Sequence, residues 1–120
     1  MKMTELAFTV LPVRDVKRAR EFYTATLGLK ETANWQDKWI EFDIGPGTLA
    51  ITDGFEQLTP GAKGAMVAIE VEDLPTALRE LEAKQVKLGM APFDTPVCSG
   101  ATLLDPDGNE VMLHQRKRAG

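Results

Sequence analysis

The chain has 120 residues, 43% of them apolar and 27% charged, with a formal net charge of −4 at pH 7. That is the balance of an ordinary globular protein with enough apolar material for one core, and it argues against a disordered chain. The acidic balance leaves no electrostatic footprint for nucleic acid, and no apolar run approaches the ~20 residues that span a bilayer.

The elements follow in chain order. Residues 5–13 alternate as a strand that ends at Asp15, a good N-cap. A helix is predicted over 16–27, with Val16, Ala19, Phe22, Tyr23 and Leu27 on one side and Gly28 as its left-handed stop. Three strands fit 30–36, 38–44 and 47–53, and Gly45-Pro46-Gly47 turns between the last two. Residues 54–63, with Gly54, Pro60 and Gly61, read as a linker. The order then starts again. A strand at 65–71 leads to Asp73 as cap, and a helix at 74–84 has Leu74, Ala77, Leu78 and Leu81 at helical spacing with Pro75 in its first turn. Strands near 86–90, 97–104 and 109–115 follow, and Asp105-Pro106-Asp107-Gly108-Asn109 turns between the last two.

The chain therefore nearly repeats itself with a period of 58 residues: Val13-Arg14-Asp15 matches Val71-Glu72-Asp73, Ala19 matches Ala77 and Ala25 matches Ala83. Each copy is βαβββ, and the fold class is α+β. A copy of about 60 residues is marginal alone, so the chain is expected to be one domain of two modules, 1–58 and 64–118, joined through 54–63.

Strand alternation separates two faces. One parity is almost wholly apolar: Leu11, Val13, Ile40, Phe42, Ile44, Leu49, Ile51, Val67, Ile69, Val71, Val111 and Leu113. It should lie beneath the helices. The other is mixed and includes Phe8, Trp39, Glu41, Asp43, Thr48, Ala50, Thr52, Met66, Glu70, Glu110, Met112 and His114. Aromatic, thioether, hydroxyl and carboxylate groups on one face suit an apolar-walled pocket with polar anchors.

Two βαβββ copies, Val-x-Asp before each helix, Glu21-Phe22-Tyr23 through Leu27-Gly28-Leu29, and the Asp105–Asn109 turn resemble the vicinal oxygen chelate superfamily of glyoxalases, bleomycin-resistance proteins and dioxygenases. The resemblance spans essentially the whole chain. It implies that the two sheets curve around a shared cup, with the helices outside, and that the cup holds a small molecule. It also implies a homodimer, as do the open edges of such sheets. The family's enzymes hold a divalent metal through His or Glu on the first and fourth strands of each copy. The corresponding positions here are Phe8, Ala50, Met66 and Met112, so the resemblance implies no metal and no cofactor. A two-residue shift of the last strand would bring Glu110 or His114 into place, but one such group cannot build a site of three or four ligands.

The expected function is thus metal-independent binding or sequestration of an aromatic or cationic ligand by Phe8, Trp39, Glu41, Thr48, Thr52, Met66, Glu70, Met112 and His114. A glyoxalase-like lyase or isomerase, or a dioxygenase, is the alternative, with Glu70 and His114 as the candidate catalytic groups. A regulatory subunit with a vestigial pocket is the third reading. Trp35 and Trp39 suit stacking or packing. Cys98 has no histidine close in sequence and reads as a small buried residue rather than a nucleophile. As the only cysteine it excludes an intrachain disulfide. With Lys2, Thr4 and Glu5 and no apolar signal segment at the start, the chain reads as cytoplasmic. The basic run Arg116-Lys117-Arg118 reads as a solvated tail.

Overall fold

A computed structural model describes residues 1–2 and 4–117, so Arg118 of the basic tail lies outside the described residues. The chain separates into two compact units, Met1–Ala62 and Lys63–Gly120, each α+β with one helical segment and one four-stranded mixed sheet.

In the first unit, β1 (Thr9–Pro12) leads to α1 (Val16–Glu21), then to β2 (Glu31–Trp35), β3 (Trp39–Ile44) and β4 (Gly47–Thr52). The sheet order is β1-β4-β3-β2, with β1 parallel to β4 and the other pairs antiparallel. Asp15 caps α1 as its side chain implies, accepting from the amides of Lys17 and Arg18 at 3.0 and 3.4 Å. The helix expected through residue 27 is α-helical only to Glu21 and continues as a π-helical turn over Phe22–Thr26. There the amide of Leu27 reaches the carbonyl of Phe22, five residues back, and the Thr24 hydroxyl bonds the Arg20 carbonyl. A threonine bonding back in this way competes with the regular ladder. The wide turn ends at Gly28, whose φ of +76° is the left-handed stop that glycine favours. Arg20 grips Glu31 through two hydrogen bonds of 2.5 and 3.0 Å, tying α1 to the outer strand.

The core of this unit is the apolar parity. Val13, Val16, Ala19, Tyr23, Ile40, Phe42, Leu49 and Ile51 are buried, and the Tyr23 and Phe42 rings lie 5.8 Å apart. Each large side chain buried in this way contributes about 1.5–3 kcal/mol. Ala50 and Thr52, of the mixed parity, are buried as well, because both sit on the central strand β4.

The second unit runs β5 (Val67–Glu70), α2 (Leu74–Ala83), β6 (Phe93–Asp94), β7 (Cys98–Leu104) and β8 (Glu110–Arg116), with sheet order β5-β8-β7-β6. Asp73 caps α2 and Pro75 lies in its first turn, as expected. Leu74, Leu81, Ala101, Leu103, Val111 and Leu113 form the core, whereas Val67 and Ile69 are half-buried. The strand expected at 86–90 is not continuous. Leu88 bridges Leu103 while Phe93 pairs with Gly100, so the edge advances five residues while β7 advances three. The extra residues contain Pro92, which has no amide to donate to a ladder. The edge therefore bulges and resumes as β6. Neither described helix is long and apolar enough to cross a membrane.

Candidate functional site

On the first unit's sheet the mixed parity gathers an aromatic corner. Trp39 opens β3 opposite Thr52, and Phe8 lies just before β1. Their rings meet edge to face, centroids 5.3 Å apart and planes at 86°. Phe8 is 47% exposed, so the corner is open to solvent. Trp39 and Glu41 share a face because they are two residues apart on one strand. The indole Nε1 donates to Glu41 Oε2 at 2.8 Å, which holds the ring in place. Thr48 donates to Asp43 at 3.1 Å at the other end of the same face. The Thr52 hydroxyl is committed to backbone: it donates to the Lys38 carbonyl at 2.7 Å and accepts from the Gly54 amide at 3.1 Å. Trp35 sits on the outer strand β2 and is 55% exposed.

The second unit's sheet carries a different constellation. Pairing places Glu70, His114, Gly100 and Phe93 in one row across all four strands. Glu70 Oε1 lies 2.6 Å from His114 Nδ1, and Glu70 Oε2 accepts from the Arg116 amide at 2.7 Å. Both carboxylate oxygens are engaged, so the imidazole is held at a fixed angle. The hydrogen bond to His114 holds the Glu70 carboxyl below its ordinary range, helped by the Arg116 amide. The same bond raises the His114 imidazole, with a second contribution from Cys98, its diagonal neighbour on β7. His114 is thus held by Glu70, with Cys98 diagonal to it across the β7–β8 pairing.

Cys98, expected to be buried, is only partly so. It lies two residues along β7 from Gly100, diagonal to His114. Gly100 puts no side chain between them; a Cβ there would stand 2.5 Å from the Phe93 ring. The thiol is 3.4 Å from Thr95 Oγ1. Its pKa is lowered first by Thr95 and then by His114. The turn chemistry of Asp105–Asn109 already implied that β7 and β8 form a hairpin. Counting outward from that turn puts Cys98 opposite Arg116, the signal that could have found this pair. Of the remaining predicted residues, Met66 is 44% exposed before β5, and Met112 faces Ala68 on one side and Thr102 on the other.

The four positions that correspond to metal ligands hold the phenyl ring of Phe8, the methyl of Ala50 and the thioethers of Met66 and Met112. None is a donor for a hard divalent cation. Among the described residues, no three His, Cys, Asp or Glu side chains group so as to hold a metal ion. The residues at these positions do not fit the group.

The sequence matches the model of the Glyoxalase/Bleomycin resistance protein/Dioxygenase superfamily over residues 5–113. Among curated proteins none matches significantly. Among solved structures the chain is similar to TnmS3, an antibiotic binding protein from Streptomyces sp. CB03234. They share 25% identity over 98% of this chain and 99% of that one, with a TM-score of 0.82. A glyoxalase/bleomycin resistance protein from the same organism is 26% identical over 92% of this chain and 100% of that one, with a TM-score of 0.79. A lactoylglutathione lyase from Agrobacterium tumefaciens shares the fold at 19% identity, covering 96% of each chain, with a TM-score of 0.75. With the family match spanning nearly its whole length and both units built as βαβββ, the chain belongs to the glyoxalase/bleomycin resistance protein/dioxygenase superfamily.

Proposed function

We propose that this protein binds a small, flat, partly aromatic and cationic molecule on the mixed face of its first sheet, without help from a metal. The observation that carries this reading is the Phe8–Trp39 corner anchored by Glu41. Two rings at right angles offer a face and an edge to a planar guest, and a carboxylate beside the indole favours positive charge. The net charge of −4 favours the same partner at long range. The similarity to an antibiotic binding protein supports a binding role, and the metal-ligand positions supply no donors for the alternative chemistry. Asp43, on the same face of β3, adds further negative charge. A cation over an indole gains roughly 0.5–2 kcal/mol, and a charge-assisted hydrogen bond about 1.5–3 kcal/mol. Together with apolar burial these reach micromolar affinity.

The test is a titration of the protein with planar aromatic cations such as proflavine and ethidium, followed by tryptophan fluorescence and calorimetry. Trp39→Ala is expected to weaken binding by about 3- to 30-fold, the cation–π contribution, and Glu41→Gln to weaken it comparably. If no planar cation binds the parent, or if binding ignores both substitutions, this reading fails. We further propose a homodimer formed through an open sheet edge, supported by the exposed Trp35 on the outer strand β2. Sedimentation giving a monomer at micromolar concentration counts against it.

A further inference from the structure

Cys98, His114 and Glu70 stand in the order nucleophile, base and orienting carboxylate, all on one face of the second unit's sheet. Glu70 holds His114 by Nδ1 at 2.6 Å, which leaves Nε2 as the nitrogen available to the thiol. Cys98 and Arg116 are directly paired, and His114 is the diagonal neighbour within reach of a ring. Thr95 Oγ1 also lies 3.4 Å from the sulfur. We propose that Cys98, His114 and Glu70 form a nucleophilic thiolate site that adds covalently to electron-poor alkenes conjugated to a carbonyl.

The surroundings select this chemistry over acyl transfer. Hydrolysis of an ester or amide through a thioester needs backbone donors for an oxyanion. The amides nearest the sulfur are already committed: those of Val97 and Cys98 donate to Thr95 Oγ1 at 3.2 and 3.0 Å, and Ser99 pairs with Gln115 in the ladder. Conjugate addition needs only a thiolate and a proton donor. The sulfur lone pair forms a bond to the β-carbon as the alkene pair moves toward the carbonyl. His114 Nε2 then gives its proton to the α-carbon. A neutral thioether and a neutral imidazole remain, nothing leaves, and no electrons are gained or lost. The Phe93 ring, packed over Gly100 in the same row as His114, supplies an apolar wall, so an alkene carrying an aryl group suits the site. This site does not rest on the reversible binding proposed for the first unit.

The groups that bear on its titration are Glu70 from β5, Arg116 of β8 and Lys117 just after it, and Asp94 of β6, which Lys117 meets at 2.6 Å. The experiment uses the purified full chain. Alkylation by iodoacetamide is followed across pH, and addition to benzylideneacetone by loss of enone absorbance and by intact mass. An ordinary thiol titrating near 8.5 is only a few per cent thiolate at pH 7. A midpoint below the ordinary one raises the thiolate fraction at pH 7, offset in part by the lower nucleophilicity of an acidic thiol, so a rate several-fold above that of N-acetylcysteine, and at most about 30-fold, is expected. Cys98→Ser abolishes the mass increment. His114→Gln raises the alkylation midpoint toward the ordinary value, with Thr95 keeping the rest of the shift, and Glu70→Gln raises it by less, which a merely structural role for the carboxylate would not do. A parent protein that titrates at or above the ordinary midpoint, or that stays unmodified by the enone, overturns the proposal. So does a depressed midpoint that His114→Gln leaves in place. Should a variant fail to fold, the parent's own pH profile and adduct mass still decide.

Discussion

Replacing Asp105 removes the centre of the turn between β7 and β8. Its carboxylate is 5% exposed. Oδ1 accepts from the amides of Asp107 and Asn109 at 2.9 and 2.8 Å, and Oδ2 from Asn109 Nδ2 at 3.0 Å. Asp105→Ala leaves these donors facing a methyl group in a place water barely reaches. At about 1–3 kcal/mol for each of the three buried donors left unmet, the loss is on the order of 3–9 kcal/mol, a large share of the ~5–15 kcal/mol that holds a domain together. Since alanine also opens a small void, an exchange of roles is the sharper test. Asp105→Asn keeps one oxygen for the two amides but sets its NH2 against the NH2 of Asn109, and is expected to lose about 1.5–3 kcal/mol. Adding Asn109→Asp restores a donor facing an acceptor, with the polarity reversed, and most of the loss returns. Denaturant unfolding of the parent, both single variants and the double variant, read by circular dichroism at one pH, gives the coupling energy. A double variant no more stable than Asp105→Asn refutes the side-chain bond assigned between these two residues.

Gly100→Ala drives a Cβ to 2.5 and 2.6 Å from two Phe93 ring atoms and 3.2 Å from the Leu113 carbonyl, so about 1–3 kcal/mol of stability is lost as the ring is pushed off β7; combining it with Phe93→Leu recovers part of that loss in a thermal melt. Gln85 holds a φ of 58° just past α2, where glycine is the favoured residue, so Gln85→Gly is expected to stabilise by about 0.5–1 kcal/mol and to raise Tm by about 2–5 °C in calorimetry. The Glu70–His114 pair makes stability depend on pH from both sides. The His114 contribution, from a raised imidazole, is complete below its unfolded value of about 6.5 and fades as pH rises through its folded value. That of Glu70, from a lowered carboxyl, is complete above its unfolded value of about 4.3 and fades as pH falls through its folded one. Denaturation midpoints of the parent relative to His114→Gln are therefore expected to be highest between about pH 4.5 and 6.5, and a difference that does not vary with pH contradicts the pairing.

The sequence by itself determined what short-range chemistry controls. Asp15 and Asp73 are helix caps because a carboxylate that accepts free amides needs only the next three residues. Gly28 stops its helix because of its own backbone freedom, and alternation along Trp39–Ile44 and Gly47–Thr52 puts Ile40, Phe42, Leu49 and Ile51 in the core. The 58-residue repeat followed from the same local signals read twice. Tertiary structure decided the rest. The helix widens into a π-helical turn at Phe22 because Tyr23 packs against Phe42 while Thr24 bonds the Arg20 carbonyl, contacts that no helical periodicity contains. The edge of the second sheet bulges between Leu88 and Phe93, around Pro92, and only the pairing with β7 shows that Phe93 then settles over Gly100. Glu70 lies 44 residues from His114, so no spacing rule joins these two, whereas counting out from the β7–β8 turn brings Cys98 near His114. Only the register of β5 and β8 sets the carboxylate beside the imidazole, since cross-strand pairing converts distant positions into neighbours about 5 Å apart.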